Sequence, residues 1–491
     1  MGGPDMKKSV KIVAILTVLV MGVLTVLSAC DGNKPKPEKK AIIMVTALMS
    51  GGLYDKATGE NLWDPLPEEY EMISVLEDGI ESFFLKLVAA KDENGQPLLK
   101  NLVDRYVQPI LEKKEDKSNL IWSLAQDQYG VGNNPDVTPA NGVDSKISHG
   151  VLAAYKPMME DLDADYFKDY TVATFNYDWR IDNRENSRLL EEYINENGFT
   201  NVVFMSHSMG GMVVSGYLAR SEENRKKVDA YLSYAGAFMG SLDALTYLND
   251  PWSFLRGMGI DKEQIGEMLS NPAISGVLSS VGLNVDEKVV EDLMDNVATP
   301  FLQNMTSVIQ LLPTWEYLSS EQYGEGEGIC IDGELIKSKD ELYEYYCTRD
   351  WAFLRDENGN KISDGKGGFK LKPAVESLRE FHDGLYVRLD SGEKVFASHT
   401  VNAYYFVGNN LQTRVTYNDI TGGIDEYGKK PAGDGVVPYY SAIPGYTTAE
   451  IEAMKQNGHV IEYSEGHFEV GCKWSMTQED VYKILEAETA K

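Results

Sequence analysis

Residues 204–211, with the sequence FMSHSMGG, place a serine between an apolar run and a segment of small residues. The run 201–205 is apolar and β-branched, which predicts a buried strand, and residues 209–220 predict a packed helix. A serine on the sharp turn between them exposes its hydroxyl above the N-terminus of the helix. Ser206 replaces the first glycine of the pattern G-x-S-x-G, a small departure because the turn needs little side-chain bulk. Ser208 is therefore the predicted nucleophile.

A serine nucleophile needs a base and an acid that orients the base, and α/β-hydrolases carry them downstream in the order Ser, Asp or Glu, His. Of the six histidines, His459 and His467 follow a suitable acid. The predicted acid is Asp434, because glycines at 433 and 435 let the backbone fold tightly around it. We predict His467 as the base, since it follows the strand-like run 459–463 that His459 opens. Taken alone, Asp434 also fits a plain turn and His467 a helix cap.

The oxyanion that forms during acyl transfer needs backbone N–H donors. Met209, directly after the nucleophile, is predicted to supply one. Leu48 is predicted to supply the other, because it ends the strand-like run 41–48 just before the glycines at 51 and 52. A glycine pair after a strand is also typical of an ordinary turn.

Several segments occur in an order that resembles one enzyme family. They are N-L-W-D-P at 61–65, Y-D-W-R at 177–180, S-H-S-M-G-G at 206–211, G-S at 240–241, L-L-P-T-W at 311–315, and G-D-G at 433–435 with Gly408, Thr413 and Tyr417 before it. The Y-D-W-R string is the most specific of them. Together they resemble the lecithin:cholesterol acyltransferase-like group, which includes lysosomal phospholipase A2-type enzymes.

The resemblance implies an α/β-hydrolase fold, a mostly parallel sheet with an inserted, largely helical cap. It also implies an enzyme that forms an acyl-serine from a lipid ester and passes the acyl group to water or an alcohol. The sequence departs from the family at residues 45–47, V-T-A in place of the frequent V-P-G, and in an insertion at about 70–147. Residues 130–143 of this insertion predict a loop that could fold over the site.

Two other functions fit the same serine turn. One is a carboxylesterase or peptidase that acts on a soluble substrate, which the Y-D-W-R string disfavours. The other is a surface lipoprotein that keeps the scaffold for binding without catalysis.

The N-terminus resembles a bacterial lipoprotein signal. Lysines at 7, 8 and 11 precede an apolar run at 12–27, and the sequence L-S-A-C closes it at Cys30. We therefore expect a signal peptide at 1–29, lipid attachment at Cys30 and a polar tether at 30–40. An uncleaved membrane anchor is the alternative, since the run is near the lower length for a span. Either reading predicts an exported protein held at the cell membrane.

The strand signal recurs at 41–48, 170–176, 200–206, 230–235 and 402–408, alternating with helical patterns, which predicts a parallel α/β sheet. Between about 238 and 397 this signal fades and apolar residues recur at helical spacing. The predicted organisation is a hydrolase core at 41–237 and 398–491 with a cap at 238–397.

Composition fits an exported enzyme. The chain has 491 residues, 43% of them hydrophobic, and a net charge of −30, which disfavours binding to nucleic acid or to anionic lipid. Membrane contact should then rest on the lipid anchor and apolar surface. Cys330 and Cys347 could pair in an oxidising compartment, with Cys472 left over. No cofactor and no metal site are expected, and the sequence does not indicate a protein partner.

Overall fold

A computed structural model describes residues 38–63, 89–91, 95, 97–139, 155–163, 167–253, 262–280, 282–320, 329–331, 334–418 and 433–489. The predicted signal peptide, Cys30 and most of the tether lie outside these residues, as does much of the insertion at 70–147. The structure from Lys40 onward forms one unit. No helix of the described residues is long and apolar enough to cross a membrane.

A parallel sheet forms the centre of the fold. The described strands are β1 (Lys40–Val45), β2 (Leu53–Asp55), β3 (Val137–Pro139), β4 (Tyr170–Phe175), β5 (Asn201–His207), β6 (Val228–Tyr234), β7 (Ile329–Ile331), β8 (Glu334–Leu335), β9 (Tyr386–Arg388), β10 (Lys394–Phe396), β11 (Ala403–Gly408), β12 (Tyr417–Asn418) and β13 (Val460–Tyr463). The central sheet has the order β13-β11-β6-β5-β1-β4, and all its neighbouring strands are parallel. The predicted parallel α/β sheet is therefore confirmed.

Helices cover both faces of this sheet. The described α-helices are Leu98–Leu102, Gln108–Leu111, Leu120–Leu124, Lys156–Asp163, Asn183–Asn197, Gly210–Arg220, Glu222–Lys226, Leu242–Asn249, Lys262–Ser270, Pro272–Ser280, Glu287–Leu293, Thr299–Asn304, Thr306–Gln310, Trp315–Leu318, Lys339–Thr348, Pro373–Glu376, Leu378–Asp383, Tyr439–Ala442, Thr448–Gln456, His467–Cys472 and Trp474–Thr489. One core cluster joins Leu190 and Met212 to the sheet, and another joins Met159 and Leu485 to its other face. Continuous apolar strands are typical of a sheet buried on both faces.

The carboxyl ends of the strands meet at one edge of the sheet. Val45 of β1 lies opposite Ser206 of β5, and Gly408 of β11 lies opposite Tyr463 of β13. Segments that follow these strands are therefore brought together, as in other open α/β sheets. β1 ends three residues earlier than predicted, because the chain turns at Met49, which has a φ of 62°.

The described part of the segment between β6 and β11 is mainly helical, with short strands at β7–β10 that the sequence did not reveal. In the insertion, β3 pairs with β2, so part of the predicted loop 130–143 is a strand. The suggested pairing of Cys330 with Cys347 is wrong, since both thiols are free. Cys330 lies in β7 and Cys347 near the end of a helix, and short separation in sequence alone does not give disulfide geometry.

Candidate active site

The predicted nucleophile lies on a tight turn between β5 and the helix Gly210–Arg220. Ser208 has a φ of 54°, a left-handed conformation that is uncommon for non-glycine residues and that clusters at active sites. Gly210 allows the helix to approach β1, because a side-chain carbon there would lie 2.5 Å from the Val45 carbonyl oxygen. The buried Ser206 Oγ lies 2.7 Å from Tyr231 Oη, so the departure from glycine at this position is accommodated by a hydrogen bond.

Asp434 and His467 lie together at the carboxyl edge of the sheet. The distance from His467 Nδ1 to Asp434 Oδ2 is 2.7 Å. The other carboxylate oxygen accepts hydrogen bonds from the N–H groups of Val436 (3.0 Å) and Val437 (2.7 Å), so the side chain of Asp434 is held by its own loop. With Nδ1–H donating to the carboxylate, Nε2 of His467 is left as the basic nitrogen.

The hydroxyl of Ser208 makes no hydrogen bond to any residue that the structure describes. Ser208 is 9% exposed and directly follows His207, whose ring centroid lies 4.9 Å from that of His467. The structure thus brings the acid and the base into contact and the nucleophile into their neighbourhood. Hydrogen bonds between nucleophile and base are often loose without substrate and tighten when it binds.

The two predicted oxyanion donors are Leu48 and Met209. Among the described residues, none accepts a hydrogen bond from the N–H of either one. Met209 is fully buried, and a buried backbone N–H without an acceptor is rare in proteins. An N–H directly after the nucleophile and one from the loop after β1 are the donors that this fold uses for an oxyanion.

The Y-D-W-R segment holds the loop that carries Leu48. The Tyr177 hydroxyl donates to the Thr46 carbonyl (2.8 Å), and Trp179 Nε1 donates to the Gly51 carbonyl (3.0 Å). Trp63 Nε1 donates to the carbonyl of Met49 (2.6 Å), between these two points. Three side-chain donors therefore fix the backbone of residues 46–51.

The charged pair of the same segment anchors it. Arg180 donates to both oxygens of Asp178, through Nε at 2.8 Å and Nη2 at 2.6 Å, and through Nη1 to the Leu124 carbonyl at 2.8 Å. Arg180 is nearly fully buried. A two-pronged arginine–carboxylate contact is rigid, and it restricts the positions of Tyr177 and Trp179 on either side of Asp178.

His459, the rejected candidate for the base, lies elsewhere. Its Nδ1 is 2.8 Å from the Ala403 carbonyl oxygen, and its ring stacks on Tyr404 with a centroid distance of 4.5 Å. No group of three His, Cys, Asp or Glu side chains in the described part of the chain could hold a metal ion.

Sequence reasoning missed two residues at the site, His207 and Tyr155. His207 is not one of the histidines that follow a suitable acid, yet its ring contacts His467. Tyr155 lies 52 positions before His207 in a segment without a motif, and its hydroxyl is 2.8 Å from His207 Nδ1. A histidine that immediately precedes a strand-end nucleophile was the one available signal.

Comparison with known families agrees with the expected resemblance. The family model described as lecithin:cholesterol acyltransferase matches residues 142–250, which include β4, the Y-D-W-R segment, β5 and the turn of Ser208. The match confirms the predicted resemblance to this family and, with the parallel sheet, the α/β-hydrolase fold. It supports an acyl-transferring hydrolase in general terms and implies a lipid ester as the class of substrate.

Comparisons with curated proteins and with solved structures do not indicate a function. No curated protein matches the chain. A solved structure described as the crystal structure of the Tle4-Tli4 complex aligns with 76% of this chain and 76% of its own, at 14% identity and a TM-score of 0.32. A likeness at this level carries no argument about function.

Proposed function

We propose that this protein is a serine esterase that takes acyl groups from lipid esters and passes them to water or an alcohol. The observation that carries the proposal is the contact between His467 Nδ1 and Asp434 Oδ2 beside the strained turn of Ser208. A carboxylate that orients a histidine next to a serine in this conformation is the arrangement of acyl-transfer enzymes. The family match at residues 142–250 supports the choice of a lipid ester.

The proposed reaction has two half-reactions. Ser208 Oγ attacks the ester carbonyl carbon while His467 Nε2 takes the hydroxyl proton. The N–H groups of Leu48 and Met209 donate hydrogen bonds to the carbonyl oxygen as it becomes negatively charged. The C–O bond of the ester breaks, and the departing alcohol takes the proton from His467. Water or a second alcohol then attacks the acyl-serine while His467 Nε2 removes its proton. The bond between the acyl carbon and Ser208 Oγ breaks, and Oγ takes that proton from His467.

A substrate panel tests this proposal. Nitrophenyl esters of graded chain length and phosphatidylcholine vesicles would be offered to the wild-type protein and to Ser208→Ala. We expect turnover that rises with acyl length and includes vesicle phospholipid, all of it lost in the variant. Preference for short, soluble esters would point to a carboxylesterase instead. Absence of turnover together with absence of fluorophosphonate labelling would indicate a binding protein.

Hydrolysis and transfer share the acyl-serine, so the same vesicles can distinguish them. We expect that adding a long-chain alcohol yields new ester in a fraction well above the molar ratio of alcohol to water, because an apolar cap favours an amphiphilic acceptor. Lipid extraction and mass spectrometry would measure both products. If free fatty acid is the only product with each of several alcohols, the protein is a lipase or phospholipase that does not transfer acyl groups to alcohols.

We further propose that the protein is exported and attached to the membrane through lipid on Cys30. The support is the sequence L-S-A-C after an apolar run and before a polar segment rich in lysine and proline. Mass spectrometry of the mature N-terminus should find acyl groups on Cys30, and Cys30→Ser should lack them. A mature wild-type N-terminus without lipid would contradict the anchor.

A further inference from the structure

Three hydrogen bonds connect the loop after β1 to the main chain of His467 through two buried side chains. The Ala47 N–H is 3.2 Å from Tyr155 Oη, which is 2.8 Å from His207 Nδ1, and His207 Nε2 is 3.1 Å from the His467 carbonyl oxygen. We call Tyr155 and His207, joined in this way, the Tyr155–His207 bridge. Neither side chain has a part in the proton transfers of the proposed reaction.

Each hydrogen bond of the bridge has one direction. The His467 carbonyl can only accept, so His207 Nε2 carries a hydrogen. Burial, with the neighbouring His467 ring, lowers the pKa of His207 well below 6.5, so the ring is neutral and its Nδ1 is an acceptor. The Tyr155 hydroxyl therefore donates to Nδ1, and its oxygen accepts from the N–H of Ala47. The bridge fixes one tautomer of His207.

Packing around the ring fits this single arrangement. His207 is 2% exposed. Gly471, on the helix that His467 begins, leaves space for it, because a side-chain carbon there would lie 2.4 Å from His207 Nε2. Ser50 and Cys472 also lie near the Tyr155 hydroxyl. The ring can therefore neither turn nor withdraw without disturbing the helix of the base.

The bridge does something that the other contacts of His467 cannot. The N–H of His467 donates to the Asp434 carbonyl (2.9 Å), and the ring of His467 contacts the Asp434 carboxylate. Both bonds therefore come from the loop that carries Asp434 and move with that loop. The bond from His207 comes from the last residue of β5, directly before Ser208. Of the three, this bond fixes the base relative to the nucleophile.

We propose that His207, oriented by Tyr155, is a positioning residue that sets the location of His467 with respect to Ser208. The inference rests on the proposed function, in which His467 is the base. A misplacement of about 1 Å between reacting groups can lower a rate about 100-fold. The bridge is thus expected to act on kcat and to leave KM nearly unchanged.

Two substitutions of similar size separate positioning from packing. In His207→Gln the amide nitrogen stands near the position of Nε2 and keeps the donor to the His467 carbonyl. In His207→Asn the amide oxygen stands near Nδ1 and keeps the acceptor for Tyr155 but loses the donor. Each variant loses one buried hydrogen bond, so their melting temperatures should fall by similar amounts. We expect kcat to fall 10- to 100-fold in His207→Asn and less than 5-fold in His207→Gln.

His382 supplies a matched control. It is fully buried, its Nδ1 is 2.7 Å from Tyr343 Oη, and its Nε2 is 3.0 Å from the Gln310 carbonyl oxygen. The hydrogen-bonding pattern is that of His207, without His467 at its end. His382→Asn and His382→Gln should lower the melting temperature in the same way and leave kcat unchanged.

The outcomes are distinct. Equal kcat in the two His207 variants would overturn the positioning role, and so would a loss of kcat no larger than the unfolded fraction of each variant explains. In either case, ester turnover by the wild-type protein would still support the proposed function. A wild-type protein that neither turns over esters nor reacts with a fluorophosphonate would overturn both. Recovery of kcat in His207→Gln with KM near the wild-type value in both variants would establish the proposal.

Discussion

Two buried histidines in this protein have the same hydrogen-bond pattern and different consequences. His207 and His382 each accept from a tyrosine hydroxyl at Nδ1 and donate from Nε2 to a backbone carbonyl. Burial lowers the pKa of both, that of His382 to about 4. The carbonyl at the end of the first pattern belongs to His467, and that of the second belongs to Gln310. A lowered pKa therefore does not by itself mark a functional histidine.

The surroundings of His382 explain its role. Gln310 accepts from the Asn183 N–H (2.9 Å) and donates to Asp182 (2.8 Å), at the start of the helix Asn183–Asn197. His382 thus holds Gln310, another residue of the predicted cap, and the side chain of Gln310 contacts a helix of the predicted hydrolase core. We infer that this site holds the two parts together, whereas the His207 site holds the base in place.

The largest expected difference between the two sites concerns the reacting residues. Ser208→Ala or His467→Ala should lower kcat/KM by about 10⁴- to 10⁶-fold, because the two side chains act as one unit. His382→Gln should leave kcat/KM within about 2-fold, and His459→Ala should also be nearly silent. Steady-state hydrolysis of a long-chain nitrophenyl ester measures all four. Retained activity in Ser208→Ala would show that Ser208 is not the nucleophile. Normal activity in His467→Ala together with an inactive His459→Ala would show that His459 is the base.

A smaller loss is expected for Asp434→Asn, up to about 10⁴-fold in kcat. The amide oxygen can still accept from Val436 and Val437, so the loop should keep its shape. Its NH₂ group would then face His467 Nδ1 and favour the tautomer that places the proton on Nε2, which cannot act as a base. A melting temperature near that of wild type, with kcat strongly reduced, is the expected pair of results. Normal kcat would show that another acid orients the histidine.

The smallest effect is on stability and belongs to His382. Its pKa is about 4 in the folded protein against 6.5 in the unfolded chain, so the unfolded state takes up a proton first as the pH falls. The contribution of neutral His382 is fully present above pH 6.5 and decreases down to pH 4, by about 3 kcal/mol in total.

Urea unfolding at pH 7 and pH 4.5 measures this effect. His382→Gln should be less stable than wild type at pH 7, because buried partners of the ring lose a hydrogen bond, and its stability should decline less on acidification. His459→Gln, a partly exposed site, serves as the control. An identical decline in wild type and His382→Gln would contradict the lowered pKa of His382.

Much of the fold was predictable because its strands are continuous apolar runs. The expected strands at 170–176 and 402–408 correspond to β4 and β11 within one residue. The predicted end of β1 was wrong, since the chain turns at Met49, whose carbonyl accepts a hydrogen bond from the Trp63 side chain 14 residues away. The free thiols of Cys330 and Cys347 were likewise decided by tertiary structure.

The candidate site was predictable only where it follows chain order. Ser208, Asp434 and His467 were chosen from a motif, a glycine-flanked acid and the order of a triad, and the structure places the last two in contact. Tyr155 could not be found in this way, because its contact with His207 depends on how the helix Lys156–Asp163 packs on the sheet. The position of the Tyr155 hydroxyl in the folded structure places this residue at the site, and the sequence around Tyr155 does not indicate it.

Reaction with a fluorophosphonate, followed by peptide mapping, tests the central claim most directly. The reagent forms a stable bond with a serine that a neighbouring base activates, so it reports on the nucleophile without any assumption about the substrate. We predict a single adduct on Ser208 in the wild-type protein, no adduct in Ser208→Ala, and much slower labelling in His467→Ala. An adduct on another residue, or a folded wild-type protein that does not react, would contradict the account.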